Sequence, residues 1–365
     1  MTNFPGKGKV AVLKTAPETV LADYARVMEL AGVREALPKG PTTALKINIS
    51  WQTWYPACSS APWQIEGVAR GLRQAGYTDL VGVHNDTVVV NAKDGEFNNK
   101  HRFVTDMLGI PCEYLYEEDF EWFEYKPKRP FLVLDKVYPD GVFIPRALVG
   151  KNIVHLPTVK THVFTTITGA MKNAFGGLLH RNRHWTHSVI HDTLVDLLMI
   201  QQDIHPGLFA VMDGTFAGDG PGPRAMRWHE KDILLASADQ VAIDAVSAKL
   251  QGFDPMKIRF IRKAHEMGLG VGDPREIGIV GYDIDQEPAW HFEQTDTFAS
   301  KGQKMIYHGP LKPLEKPPDE CNAPTIKSNL RWRCTISKAL MDIFLRDLTF
   351  RSAALQAQYF LRTLS

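Results

Sequence analysis

Short apolar runs of strand length, each separated from the next by a stretch of helical periodicity, constrain this chain more than anything else in it. Lys9 to Lys14 (KVAVLK), Ala44 to Ile49 (ALKINI), Leu80 to His84 (LVGVH), Asn152 to Leu156 (NIVHL) and Leu208 to Met212 (LFAVM) are such runs. Between the first two, Val20, Leu21, Tyr24, Ala25, Val27, Met28 and Leu30 recur at helical spacing, and Gly32 supplies a stop. Near-continuous apolar strands linked through amphipathic helices must be covered on both faces. The expectation is an α/β fold: a mostly parallel sheet flanked by helices, with a helical C-terminal extension.

Several boundaries can be read locally. Ser59 or Ser60 suits an N-cap ahead of Pro62, and that helix closes at Gly76, which makes a βαβ unit ending in His84-Asn85-Asp86. Polar side chains at a strand's carboxyl end lie where open parallel sheets bind ligands, although a capping turn explains Asn and Asp equally well. A helix is expected over Asn98 to Gly109, and the acidic, aromatic stretch Pro111 to Pro130 reads as an edge hairpin. Phe131 to Val137 and Gly141 to Ile144 read as strands joined by a turn at Tyr138-Pro139-Asp140-Gly141. Ser188 to Asp203 and Pro255 to Gly268 read as helices, and Ile233 to Ala236 and Ile277 to Val280 as strands. TFAGDGPGPRAMRWHEKD, after Asp213-Gly214, reads as a loop because it is so rich in Gly and Pro. An α/β domain over 1–285 is followed, over 286–365, by a Pro-rich connection and a helical tail from about Leu330. That tail is expected to pack on the core or on a second subunit, as a homo-oligomer contact; a basic interfacial helix is the other option.

Lys+Arg 42 against Asp+Glu 41 leaves a formal charge of +1, so no overall field points to nucleic acid. The amino terminus lacks the apolar core of a signal peptide, and no uninterrupted apolar run reaches the roughly 18 residues that span a bilayer. A cytoplasmic protein with no transmembrane segment is expected. Cys58, Cys112, Cys321 and Cys334 are too scattered for a zinc knuckle or a ferredoxin-type cluster run and read as buried free thiols.

The stretch from Asn152 to His191 concentrates chemistry. Lys160 and His162 flank Thr161, so in an extended segment both point to one side, where an ammonium and an imidazole can bind an anion or exchange protons. Lys172-Asn173 follows Thr165, Thr166 and Thr168, which suit a helix start; Gly176-Gly177 reads as a break, either a left-handed stop or a close backbone approach. The order GxxxxGK[ST] is absent, so this is no Walker loop. His180, His184, His187 and His191, with Arg181 and Arg183 among them, would share a helical face: a metal site if that helix were continuous, an anion-contacting loop if not. Asp213, Asp219, Asp239 and Asp244 are the acidic counterparts. Asp239 reads as an N-cap, and Asp244, inside an apolar helix, is expected to pair with Lys160 or Lys172.

The motifs LPTVKTH, GAMKNAFGG, MDGTFAGDGPGP, LLASADQVAIDAVSAKLQG and GLGVGDPREIGIVG, in that order over Ala44 to Tyr282, resemble the domain of unknown function 362 family. The resemblance implies no defined activity. It implies an association with iron–sulfur proteins, through an added ferredoxin-like module whose cysteine runs this chain lacks. The expected function is an enzyme acting on a small anionic or aromatic metabolite by acid/base or metal-assisted chemistry, redox included. Lys160, His162, Lys172 and Asp213 would be catalytic; Asn173, His180, Arg181, Arg183, His184, Asp219 and Asp244 would bind substrate. The alternative is a non-catalytic protein binding an anion, phosphate or nucleotide. A metal ion is a candidate cofactor, whereas local motifs support neither an iron–sulfur cluster nor Rossmann-type NAD or FAD, since no GxGxxG follows the first strand.

Overall fold

The computed structural model describes residues 4–308 apart from Asp86, Val88 and Val89. The chain divides into two compact units after Gln294. Eight strands form the path of the main sheet or begin it: β1 (Lys9–Lys14), β2 (Thr43–Ile47), β3 (Leu80–His84) and β4 (Cys112–Tyr114) come first. A separate two-stranded ribbon joins β5 (Trp122–Glu124) to β6 (Phe143–Pro145). Then come β7 (Asn152–Leu156), β8 (Thr158–His162), β9 (Thr166–Ile167), β10 (Leu208–Asp219), β11 (Arg227–Ser237) and β12 (Gly278–Gly281). The ten-stranded sheet runs β12-β1-β11-β10-β7-β2-β3-β4, with β8 paired to β10 and β9 to β8. Along that path only β11 runs against its neighbours, β1 and β10.

The helices are α1 (Val20–Ala31), α2 (Val33–Ala36), α3 (Pro62–Gln74), α4 (Ala92–Asn98), α5 (His101–Met107) and α6 (Leu134–Val137). They continue with α7 (Ala170–Leu178), α8 (Ile190–Ile204), α9 (Gln240–Gln251) and α10 (Arg259–Glu266), and α11 (Phe298–His308) lies in the second unit. Alternation along each strand divides the apolar side chains into two cores. Val10, Val12, Ile153, Ala210 and Met212 pack with α7 to α10; Ala11, Leu45, Val154, Phe209 and Val211 pack with α1 to α3. This is the α/β architecture that the strand–helix alternation predicts.

The differences from expectation have local causes. Ser59 and Ser60 do not cap α3: Ser60 Oγ donates to Leu156 O and accepts from Asn48 N, while Ala61 is the N-cap. The helix expected over Asn98 to Gly109 is α5, which starts only at His101 because Lys100 at φ 65° separates it from α4. Nor is Pro111 to Pro130 a hairpin: its first strand joins the main sheet and its second pairs with Phe143–Pro145. Phe131 to Val137 is no strand, since the buried Asp196 carboxylate accepts from the amides of Leu132, Val133 and Leu134 and turns the chain into α6.

The Gly- and Pro-rich stretch after Asp213 is strand to Asp219, the longest in the sheet. The turn after it keeps the loop character expected of these residues, and glycine is required there by close approach: a Cβ at Gly222 would stand 1.9 Å from the backbone Thr161 O. The tail from about Leu330 and Asp86 of the His84-Asn85-Asp86 turn lie outside the described residues.

Candidate functional site

β7 and β8 lie end to end along β10, the first pairing with its residues 208–210 and the second with Asp213 and Gly218. On β8, Val159 enters the core, so Thr158, Lys160 and His162 share the opposite face, as the Lys-x-His spacing predicts. Lys160 is wholly buried; its Nζ donates to Ser50 Oγ at 3.2 Å, to Thr158 Oγ1 at 2.8 Å and to Cys58 O. These acceptors are all neutral, and burial brings its pKa down to about 8. Arg224 Nε donates to Ser50 O at 2.8 Å, so two cations meet at one serine.

A second pair of cations comes from α7. Lys172 lies 5.0 Å from the centroid of the Phe175 ring and the Arg183 guanidinium 5.9 Å from it. Burial lowers Lys172 to about 7, and Lys160, Arg183 and Arg224 each push it further the same way. His187 sits edge-on to Phe175 at 5.5 Å and to Phe164 at 5.2 Å, and Phe164 also faces His162 at 5.9 Å. His162 Nδ1 accepts from the Phe164 amide at 3.1 Å, which leaves the proton of the neutral ring on Nε2. Burial first, then Lys172, His187, Lys160 and Arg224, holds His162 well below its ordinary pKa and therefore neutral.

Lys46 is a member that sequence reasoning missed. It is buried on β2, its Nζ donates to Ile47 O at 2.7 Å, and burial followed by Arg183 lowers it to about 7. The available signal was an ammonium in the middle of the apolar run ALKINI, where lysine is costly. Its stem crosses α7 at the glycine pair, where a Cβ on Gly177 would stand 3.2 Å from Lys46 Cδ. Of the two readings of Gly176-Gly177, a close approach is the one observed: the pair is a groove inside a continuous helix and not a left-handed stop. Asn173 Nδ2 donates to Lys46 O at 2.8 Å and fixes that crossing.

The carboxylates do not join the cations. Asp244 receives the α7 amides of Ala170 at 2.6 Å and Met171 at 3.1 Å, replacing the expected threonine caps, and pairs with neither Lys160 nor Lys172. Burial raises its pKa to about 8 against those two hydrogen bonds. A Cβ on Gly169 would lie 2.2 Å from Asp244 Oδ1, which is why glycine begins this helix. Asp239 is the N-cap of α9, as expected, and also accepts from the amides of Gly8 and Val271. Asp219 holds Arg227 at 2.5 Å and the Glu293 amide at 2.7 Å.

Asp213 Oδ1 accepts from Thr215 N at 2.6 Å and Thr215 Oγ1 at 2.7 Å, and burial raises its pKa. It lines a cavity of about 300 Å³ walled by Trp54, Tyr55, Trp63 and Phe216. Thr158 belongs to the same wall and accepts from Lys160, so the ammonium is one hydroxyl away from this aromatic space.

The histidine-rich end is a 3-10 segment, Arg181–Val189, and its rings separate: His180 against Trp122, His184 against Trp185, His191 against Phe260. His180 and Arg181 are exposed, while Arg183 is buried and directs Nη1 at Leu179 O and His180 O, both 3.4 Å. Lys160, His162, Lys172, Asn173 and Arg183 are therefore brought together with Lys46, Arg224 and His187; Asp213, Asp219 and Asp244 face other partners.

A family model described as "Domain of unknown function (DUF362)" matches residues 43–249. The chain is also similar to the Thylakoid-associated protein sll1697 of Synechocystis sp., at 25% identity over 290 residues that cover 73% of this chain and 84% of that protein. No solved structure matches.

Proposed function

The chain belongs to the DUF362 family, whose match runs from the first residue of β2 into α9, and on that premise we propose that the cationic centre binds a small anion, a metabolite carrying phosphate or carboxylate. One observation carries the reading. Lys172 and Arg183 share Phe175, Lys160 and Arg224 share Ser50, and among the described residues no carboxylate neutralises Lys46, Lys160, Lys172 or Arg224. Lys46 and Lys160 are buried and Lys172 and Arg224 half-buried; buried cations without counter-charges are expensive, and a bound anion supplies the missing charge. The aromatic cavity beside Thr158 suits an apolar or ring-bearing portion of the same ligand.

A thermal-shift panel of phosphorylated and carboxylated metabolites, with sulfate as the simplest probe, tests this. Anions should raise Tm in the full-length chain and lose that effect in Lys172→Met. A panel without any anion response would sink the reading.

A second reading is favoured by the near-neutral lysines beside a neutral His162: proton transfer on the bound metabolite, with Lys172 as base. Turnover of each binder followed by NMR separates catalyst from binder. Two further proposals accompany these. Homo-oligomerisation through the C-terminal tail predicts that removing 309–365 changes the sedimentation of the protein. No helix among the described residues is long and apolar enough to cross a membrane, and a cytoplasmic location is tested by fractionation.

A further inference from the structure

At the β3–β4 edge of the main sheet, outside the cationic centre, three side chains of a different chemistry converge. His84 ends β3, Cys112 begins β4 and Glu96 reaches over from α4. The parallel register sets Cys112 beside Gly82, and His84 lies two residues on, so both side chains leave the same face. One nitrogen, one oxygen and one sulfur atom from the three residues all lie within 4.8 Å of one another. His84 and Glu96 are 2% and 1% exposed.

His84 Nε2 stands 3.5 Å from Glu96 Oε1 and has no hydrogen-bond partner among the described residues. A buried imidazole nitrogen left without a partner is costly, and that separation exceeds an ordinary hydrogen bond. It is close to what tetrahedral zinc requires: metal bonds of about 2.0–2.1 Å to N and O put those donors roughly 3.3 Å apart. The other carboxylate oxygen is held by the Tyr114 hydroxyl, which aims Oε1 inward.

We propose that His84, Glu96 and Cys112 bind a thiophilic divalent cation, zinc by preference, with a fourth position left for water. Nitrogen, sulfur and oxygen donors from two strands and a helix make the mixed set that zinc accepts and that magnesium or calcium does not. Positions 84, 96 and 112 follow no short-range spacing rule, so only the fold reveals them. This site stands independently of the anion reading.

The test uses chelator-treated full-length protein titrated with Co²⁺ and then Zn²⁺. One equivalent of Co²⁺ should give the visible bands of a tetrahedral site and a near-ultraviolet thiolate-to-cobalt band, both removed by Zn²⁺. Cys112→Ser should lose the thiolate band; His84→Gln and Glu96→Gln should each weaken binding by about tenfold or more. Should the serine variant fail to fold, alkylation of Cys112 in the wild-type chain, read peptide by peptide, should slow when Zn²⁺ is added. A cobalt spectrum lacking the thiolate band, a band that persists in Cys112→Ser, or alkylation indifferent to Zn²⁺ overturns the proposal.

Discussion

Replacing Lys46 by Met should make the empty protein more stable, and by an amount that depends on pH in a defined way. Folding takes the Lys46 pKa from 10.5 to about 7, and each pH unit of such a change corresponds to about 1.36 kcal/mol. At pH 6 the buried amine holds its proton at a cost on the order of 5 kcal/mol. Because its folded pKa lies below its unfolded one, the native state binds fewer protons from about pH 7 to 10.5, and wild-type stability rises with pH across that window. By pH 9 roughly 3 kcal/mol of the cost should have disappeared. Met keeps the stem that crosses Gly177 but gives up the hydrogen bond to Ile47 O, which offsets about 1–3 kcal/mol of the gain.

Guanidinium unfolding of both proteins at pH 6 and pH 9 measures the difference. Lys46→Met should gain relative to wild type at pH 6, and the difference should move by about 3 kcal/mol toward wild type by pH 9. A difference that does not change with pH would show that Lys46 carries no buried charge. The same variant should show a smaller stabilisation by sulfate, linking the stability cost to ligand binding.

Gly169→Ala should cost about 3–5 kcal/mol in chemical denaturation, because its Cβ would stand 2.2 Å from Asp244 Oδ1 and drive the carboxylate off two amides; an unchanged midpoint would contradict that packing. Asp239→Ala removes the acceptor of four amides, those of Gly8, Val241, Ala242 and Val271, and should cost about 4 kcal/mol or prevent folding, read by denaturation and circular dichroism. Sulfate does not titrate near neutrality, so its binding should draw protons onto Lys46 and Lys172 near pH 7 and onto Lys160 near pH 8. Affinity should fall as pH rises through that range, and calorimetry in buffers of different ionisation enthalpy should register proton uptake; zero uptake would count against the centre.

The strands of the main sheet were readable because apolar periodicity and strand length act locally: Lys9–Lys14, Leu80–His84 and Asn152–Leu156 are the strands observed. Composition misled where a residue type has two uses. The glycines and prolines after Asp213 signify turns, which holds for 220–226 but not for Gly214 and Gly218, where the chain stays in a strand paired with β11, a neighbour distant in sequence for Gly214. Gly176-Gly177 is compatible with a stop or a close approach, and only Lys46 from another strand, lying in the groove, decides for the second.

Within the candidate site, the Lys-x-His spacing located Lys160 and His162, since alternation along a strand is a local rule. The partners of Asp244, Asp213 and Asp219 could not be assigned that way. Each carboxylate chose backbone amides or a nearby arginine over the lysines, and such choices depend on which chain ends the fold brings within hydrogen-bond range.

The position of β1 between β11 and β12 has a consequence for the making of the protein. Lys9–Lys14 leaves a ribosome well ahead of its ladder partners, Ile233 to Ala236 and Gly278 to Gly281, which are among the last segments of this unit. At about 5–20 residues per second, the interval is on the order of 10 to 50 seconds. During that time an apolar strand with both edges open must be kept from pairing elsewhere, so the yield of folded protein should depend more on the speed of translation and on chaperones that hold nascent chains than the stability of the finished sheet would suggest.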